Sequence, residues 1–289
     1  MLTAAVRDLK RGFPGIHIGV KTPYPYLWEN NPYIENITER EAEILPLGYK
    51  TPYQDLDHPD REHFIYAFHR SLEQHFGIRI PRGEPFPDIT LFNADRKPLI
   101  ETDKPIILVN AGSKSDFPVK QWPRPFFQQV VNALKDRYAF VQIGETRTGN
   151  HRPLSNVINM LDKTPQRAII RLMYHSAGVI TGVSFPMHLC AAINAKEGHR
   201  CLITLAGRRE DTYWEKYPDS IYLQGSCSEV CEDKGCWKRF VPPLLEYTPE
   251  LCKYPIRGTD GGFYAKCLTE ITPDSVVENL LREIPSNHR

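Results

Sequence analysis

Five cysteines near the C-terminus carry the clearest potential for chemistry. Cys227, Cys231, Cys236, Cys252 and Cys267 fall within forty-one residues, spaced C-x3-C-x4-C-x15-C-x14-C. Thiolates in closed tetrahedral sets of four hold structural metals, and an all-sulfur set suits zinc or iron. Cys231, Cys236, Cys252 and Cys267 are the expected ligands, with Cys227 as the alternative to Cys231. The spacing is wider than the tight C-x2-C pairs of zinc ribbons, so a dithiol switch stands as a rival. A nucleic-acid finger would add histidines and a recognition helix rich in Lys and Arg, which the cluster lacks. A cysteine nucleophile needs a lowered pKa and a base partner, and neither is evident nearby. Cys190 and Cys201 lie in apolar runs and read as buried small hydrophobes.

Two other stretches suit anions. In "VNAGSKSDFPVKQWP", Val109 to Pro123, an apolar run ends in Asn110-Ala111-Gly112-Ser113 and a helix begins after Trp122-Pro123. Gly112 would admit backbone close to a phosphate, Ser113 offers a hydroxyl, and Lys120 a point charge. The plain alternative is a glycine turn with a solvated lysine. The pattern is not a Walker A loop, because G-x-x-x-x-G-K-[ST] is missing. In "ITGVSFPMHLCAAI", Ile180 to Ile193, a small-residue turn leads into a helix with His188 in its first turn. Free N–H groups at a helix start and its positive dipole end attract anions. Gly182, Ser184 and His188 would face such a ligand; the alternative is a capping turn with a locally bonded histidine. In "QIGETRTGNHRP", Glu145 follows another apolar run. A carboxylate there can accept from ribose hydroxyls, although a solvated loop glutamate has the same spacing.

These residues need a scaffold that brings strand ends together. From Ile106 onward, apolar runs "IILVNA", "AFVQIG", "GVIT" and "CLITLAG" alternate with helical patterns over about Pro125–Arg137, Gln166–Ser176 and "MHLCAAINA". Such alternation predicts a parallel sheet covered on both faces. A final amphipathic helix, "PDSVVENLLREI", starts at Pro273, and the stretch between the cysteines shows no other regular element. Before Lys104 the signals are sparser. Leu2, Ala5, Val6, Leu9 and Phe13 recur at helical spacing, "IHIGV" alternates like a strand, and Phe64, Phe68 and Leu72 mark a helix over about Pro59–Phe76 capped by Gly77. The proline-rich and charged stretch Pro81–Lys104 places a domain boundary near residue 100, giving units 1–100 and 101–289, the latter with a cysteine-rich lobe 225–270.

Bulk properties exclude several classes. The 289 residues are 41% hydrophobic and 25% charged with net charge +1, so a soluble globular protein without a global basic field for nucleic acid is expected. No apolar run approaches the ~18 residues of a membrane span, and "MLTAAVRDLKRGFPG" lacks the apolar core of a signal peptide. A cytoplasmic, reducing setting is therefore expected, in which structural disulfides are disfavoured. Asp8 reads as a solvated charge. Arg7, Lys10 and Arg11 read as a solvated basic face, with peripheral contact to lipid or sugar phosphates as the alternative.

Several of these stretches resemble glycosyltransferase family 9, the ADP-heptose:lipopolysaccharide heptosyltransferases. "AAVRDLKRGFPG" resembles the family's first helix and turn, and "LWENNPYIENI" its following segment. "VNAGSKSDFPVKQWP" resembles its nucleotide loop, and "TGVSFPMHLCAAI" its anion loop and helix. The cysteines resemble those of a subset with a cysteine-bound metal. The resemblance implies an α/β fold of GT-B type: two Rossmann-like domains facing across a cleft. The C-terminal one would hold an ADP-sugar donor, ADP-heptose in the family, through Gly112, Ser113, Lys120, Glu145, Gly182, Val183, Ser184, Met187 and His188. The acceptor would be lipopolysaccharide core, another glycan or a protein hydroxyl.

The sequence departs from the family's pattern twice. The loop that usually opens on an acidic residue has Thr181 or its neighbour in that place. The family also begins with a strand ending in Gly-Asp, whose aspartate is its catalytic base, whereas this sequence starts at the first helix. The expectation is an N-terminally incomplete glycosyltransferase, or a misassigned start, with the base lying before Met1; upstream in-frame codons test this. The implied reaction is inverting transfer of a sugar, most simply heptose, to the acceptor. The competing expectation is a protein that binds nucleotide sugars or glycans without turnover.

Overall fold

The computed structural model describes residues 1–38, 40–48, 62–113, 118–147, 151–208, 210–226, 252 and 254–285. The chain opens with α1 (Leu2–Gly12), a 3-10 turn at Pro25–Leu27, a second at Phe64–Tyr66, and α2 (Ala67–Phe76). Then follow β1 (Ile106–Val109), α3 (Arg124–Leu134), β2 (Ala139–Gln142), β3 (Ile158–Asn159), α4 (Ala168–His175), β4 (Gly178–Gly182) and α5 (Phe185–Asn194). The chain continues through β5 (Cys201–Ala206), α6 (Thr212–Glu215), β6 (Ile221–Gln224), β7 (Pro255–Arg257), β8 (Phe263–Ala265), α7 (Lys266–Thr269) and α8 (Pro273–Glu283).

The first six strands form one parallel sheet in the order β3-β2-β1-β4-β5-β6. Strand residues alternate between two faces, and both faces are covered. Ile107 and Val109 of β1 join Val130, Val131 and Leu134 of α3 and Val276 and Leu280 of α8 in one core cluster. Ile106 and Leu108 join Ile169, Ile170 and Met173 of α4 and Met187 and Leu189 of α5 in another. This explains why β1 and β5 read as continuous apolar runs. Each fully buried Ile or Leu contributes roughly 1.5–3 kcal/mol. Trp122 donates its indole N–H to Ile271 O at 3.0 Å, and Tyr138 its hydroxyl to Ile284 O at 2.6 Å. These two bonds fix the path into and out of α8 against α3 and β2.

The portion before β1 contains helices and no strand among the described residues. The alternation in Ile16–Val20 correctly anticipates one apolar side, since Ile16 and Ile18 pack on Leu9, Leu72 and Ile80. The stretch is nevertheless not a strand: a ladder needs a neighbour, and among the described residues its one long-range backbone bond is Glu35 N–H to Ile18 O, 2.8 Å. The helix expected to begin near Pro59 starts as the 3-10 turn at Phe64 and ends at Gly77 in the left-handed region, φ 64°. Residues 59–61 lie outside the described residues.

Two expectations for α1 are corrected. Asp8 is 2% exposed and Arg7 is also buried. Asp8 accepts from Arg7 Nε (2.8 Å) and the Gly83 amide (2.9 Å), and its Oδ2 lies 2.9 Å from His69 Nε2. Arg7 also donates to Glu84 O and Phe86 O. Only Lys10 and Arg11 remain near the surface, bonded to Ile16 O with Glu35 and to Tyr33 respectively. Arg167 of the α4 N-terminus then ties this portion to the sheet side. It donates to Tyr26 O and Thr90 O, both at 2.8 Å, pairs with Asp95, and lies 4.0 Å over the Phe92 ring.

The C-terminal region also differs from its expected lack of regular structure. β7 and β8 form an antiparallel hairpin that leads directly into α7. Gly225 lies so close to the Cys267 backbone that an added Cβ would stand 1.6 Å from its carbonyl oxygen. Ser226 donates from its amide and hydroxyl to Glu270, each at 2.9 Å. Entry and exit of the cysteine-rich stretch are thus held together.

Candidate functional site

Strand order reverses between β1 and β4, and in open α/β sheets ligands bind outside the strand carboxyl ends at that switch point. Asn110, directly after β1, bridges it. Its Nδ2 donates to Thr181 Oγ1 at 3.2 Å and to Ser184 Oγ at 3.1 Å, and the two hydroxyl oxygens lie 3.1 Å apart. Ser184 is the N-cap of α5 but makes no side-chain cap bond, because its hydroxyl is engaged across the crevice. The helix start also offers fewer donors than expected. Pro186 has no N–H, and the Met187 amide donates to Ser184 O at 3.1 Å. A fixed hydroxyl pair therefore replaces part of the anion-binding capacity of a helix N-terminus.

Lys120 supplies the nearby positive charge. Its Nζ lies 2.7 Å from Oε1 of Glu210, which is 1% exposed and accepts the Gly207 amide through Oε2. Lys120 also passes over Gly182, where an added Cβ would meet Lys120 O at an ordinary 3.5 Å. Gly182 therefore has room for a methyl group. Val183 and Met187 sit in the core cluster behind α5. Met187 has no exposed surface, so its side chain is corrected from ligand contact to core packing; the same helical spacing serves either purpose.

His188 is partly covered and its Nδ1 lies 2.7 Å from Tyr217 Oη. Burial holds this imidazole well below its ordinary pKa, aided by the nearby amino terminus of the chain and, after it, by His63 and Lys120. His63 stands 4.9 Å from the Tyr217 ring, and burial pushes its pKa down to about 4. Phe86 also stacks on Tyr217, ring centroids 6.0 Å apart. Two residues before Tyr217, Glu215 is 2% exposed and its Oε2 has no hydrogen-bond partner among the described residues. Burial raises its pKa to about 8, against the opposing pull of Lys120. His63, Glu210, Glu215 and Tyr217 were not legible as site residues; they come from loops and a four-residue helix with no motif.

The carboxyl ends of β1 and β2 form a second part of the crevice. An added Cβ on Gly112 or Gly144 would stand 2.5 or 2.3 Å from His151 Nδ1, so both glycines make room for that ring. Gly112 thus admits a histidine from its own protein rather than leaving open space. Ser113 closes the described part of its loop, half-buried, and Glu145 is exposed beside Gly144. Glu145 lies close enough to Tyr26 to help raise its phenol pKa, after burial and Tyr24.

Cys227, Cys231 and Cys236 lie outside the described residues. Cys252 and Cys267 are both buried and share a core cluster with Ala265 and Leu268. Two buried thiols beside a stitched loop base fit half of an all-sulfur set. No group of three or more metal-binding side chains occurs among the described residues.

The model of glycosyltransferase family 9 (heptosyltransferase) matches residues 40–234, more than half of the chain. The chain belongs to glycosyltransferase family 9. Its fold is similar to that of the iron-containing dodecameric glycosyltransferase TibC from enterotoxigenic E. coli H10407. That likeness has a TM-score of 0.53 at 18% identity and covers 89% of this chain and 64% of the other. The family 9 glycosyl transferase of Veillonella parvula DSM 2008 gives 0.49 at 16% identity, covering 78% and 61%. E. coli ADP-heptose lps heptosyltransferase II gives 0.47 at 18% identity, covering 71% and 55%. This family 9 chain thus spans between about half and two thirds of their length. No curated protein matches the sequence. The expected α/β class holds in the six-stranded parallel sheet covered by helices, and no helix among the described residues is long and apolar enough to cross a membrane.

Proposed function

We propose that this chain binds a nucleoside-diphosphate sugar at the β1–β4 switch point and serves its transfer to a glycan acceptor. The observation that carries this reading is Asn110 holding the Thr181 and Ser184 hydroxyls together beside Lys120. The diphosphate would lie over the α5 start, bonded by Ser184, with Lys120 exchanging part of its contact with Glu210 for the leaving phosphate. A fixed cation and oriented donors stabilise charge that develops as the sugar departs. Gly112 and Ser113 would border the phosphates, and Glu145 would take ribose hydroxyls. Backbone at Gly182 and Val183 and the neutral His188 would face the sugar end. Family membership favours ADP-heptose as donor and inversion at the anomeric carbon.

The cysteine lobe is proposed as a structural clip. Cys236, Cys252 and Cys267, with Cys231 or in its place Cys227, would hold zinc or iron, a group that supplies cross-linking there and no step of transfer. Lipopolysaccharide core, another glycan or a protein hydroxyl would be the acceptor, met in the cytoplasm or at the inner membrane face.

One observation favours binding without turnover as a second reading. Inverting transfer needs a base within hydrogen-bond reach of the acceptor. Asp8, the buried carboxylate of α1, is committed to Arg7, His69 and Gly83. Calorimetry with ADP and ADP-sugars, combined with a product assay, separates the cases. Binding with product supports transfer, and binding without product supports the second reading. Absence of binding refutes both.

A further inference from the structure

His151 is held too deliberately for a loop residue without a task. Its slot is cut from two adjacent strand ends: Gly112 follows β1 and Gly144 follows β2, and any side chain at either would collide with the ring. Gly144 also has φ 143°, a conformation that L side chains rarely adopt. The backbone that returns from His151 is pinned by Gln142, the last residue of β2. Gln142 Nε2 donates to Arg152 O at 2.9 Å, and its Oε1 accepts the Leu154 amide at 2.8 Å. Gln142 is itself fully buried, so the strand end fixes the backbone that follows the ring.

One of the ring's two nitrogens is left without a partner among the described residues. Nδ1 is buried without a hydrogen-bond partner among the described residues, a condition that native structures generally avoid. Nε2, at the other edge of the ring, is not sealed in this way. Burial keeps the imidazole below its ordinary pKa against the opposing carboxylates of Asp162 and Glu145. A neutral imidazole can donate or accept one hydrogen bond at Nε2. Glu145 stands next to Gly144 on the same edge, on the β2 side of the switch point, where the ribose of a nucleotide would lie.

We propose that His151 is a specificity residue for the nucleoside half of the ligand, floor of the ribose subsite and hydrogen-bond partner, with Glu145, of a ribose hydroxyl. This rests on the nucleotide-site reading above and adds what recognises the nucleoside rather than the phosphates.

The test is calorimetry of the whole chain with ADP, 2′-deoxy-ADP, 3′-deoxy-ADP and inorganic pyrophosphate. His151→Phe fills the slot without a polar nitrogen, and His151→Gln keeps a donor and an acceptor; melting curves report folding of both. His151→Phe is expected to bind ADP about tenfold more weakly, the loss of one hydrogen bond, with pyrophosphate affinity unchanged. One deoxy analogue should bind the wild type about as weakly as ADP binds His151→Phe, and should lose nothing further in that variant. Partial rescue in His151→Gln supports the role. Unchanged ADP binding in both variants overturns the proposal, as does a parallel fall in pyrophosphate affinity, which would mark a purely structural ring. A wild-type chain that binds pyrophosphate but not ADP overturns the proposal and spares the anion site. One that binds neither removes the nucleotide-site reading and the proposal with it.

Discussion

Lys120 Nζ and Glu210 Oε1 stand 2.7 Å apart, the lysine side chain 23% exposed and the glutamate 1%. The ammonium therefore lies between a buried carboxylate and the crevice. It neutralises Glu210 and remains reachable by an anion. A buried charge left without its partner is costly, whereas removing both partners is far less so.

Lys120→Ala is accordingly expected to lower stability by roughly 1–3 kcal/mol, below the range for a fully buried pair because the lysine is partly solvated. Lys120→Ala/Glu210→Gln should recover more than half of that loss. Urea unfolding at neutral pH measures both. Strictly additive effects would show that the two side chains are not coupled.

Asp8 links α1 to α2 and to the chain near Gly83. Burial opposes its ionisation, but bonds from His69, Arg7 and Gly83 prevail and hold its pKa at about 2. An ordinary carboxylate titrates near 4. The folded state therefore binds its proton less readily than the unfolded state. This contribution to stability is full above about pH 4 and lost as pH falls towards 2. Asp8→Asn should cost roughly 2–4 kcal/mol at pH 7, through Arg7 left buried without its anion. The cost should shrink towards pH 2; equal losses at pH 7 and pH 3 in denaturant titrations would contradict this.

Glu215 has the opposite sign. Its folded pKa is raised to about 8 from an ordinary value near 4.5, so the folded state retains a proton that the unfolded state releases. Stability from this group is fully present below about pH 4.5 and declines as pH rises towards 8. Glu215→Gln, an uncharged near-isostere, should gain on the wild type by roughly 1 kcal/mol per pH unit across that window. His63 titrates in an overlapping range with the opposite sign, so the difference between variant and wild type is the quantity to follow. A difference independent of pH would place the carboxylate in contact with water.

Cys252→Ser tests the clip. Protein purified without added metal should contain about one zinc or iron per chain by elemental analysis, as one closed site requires. The substitution should abolish that content and lower the melting temperature, with ADP affinity little changed. Metal-free wild-type protein would refute the site.

The sheet and its covering helices were legible in sequence because hydrophobic period is local. Ile106–Val109 and Cys201–Ala206 are apolar on both faces, and the Phe127, Val130, Val131 and Leu134 stripe repeats each helical turn. β3 has two exposed residues, β6 is half-buried, and α6 and α7 have four residues each. The short elements display no period, and β6, as long as β1, is uniformly half-buried and so lacks a continuous apolar signal. Ile16–Val20 shows the converse: its alternation was plain, but strand formation depends on a neighbour.

Sequence alone determined the order of β1, α3, β2, α4, β4, α5, β5 and α8, the switch-point loops and the residue types available there. Tertiary structure decided which polar groups meet. Asn110 finds Ser184 74 positions away, Asp8 finds His69 at 61, and Gly112 and Gly144 admit His151. Apolar burial needs only a face, which repeats along the chain and can be read. A hydrogen bond or ion pair needs two atoms within about 3 Å in a set direction, and that geometry exists only after the sheet has brought its strand ends together.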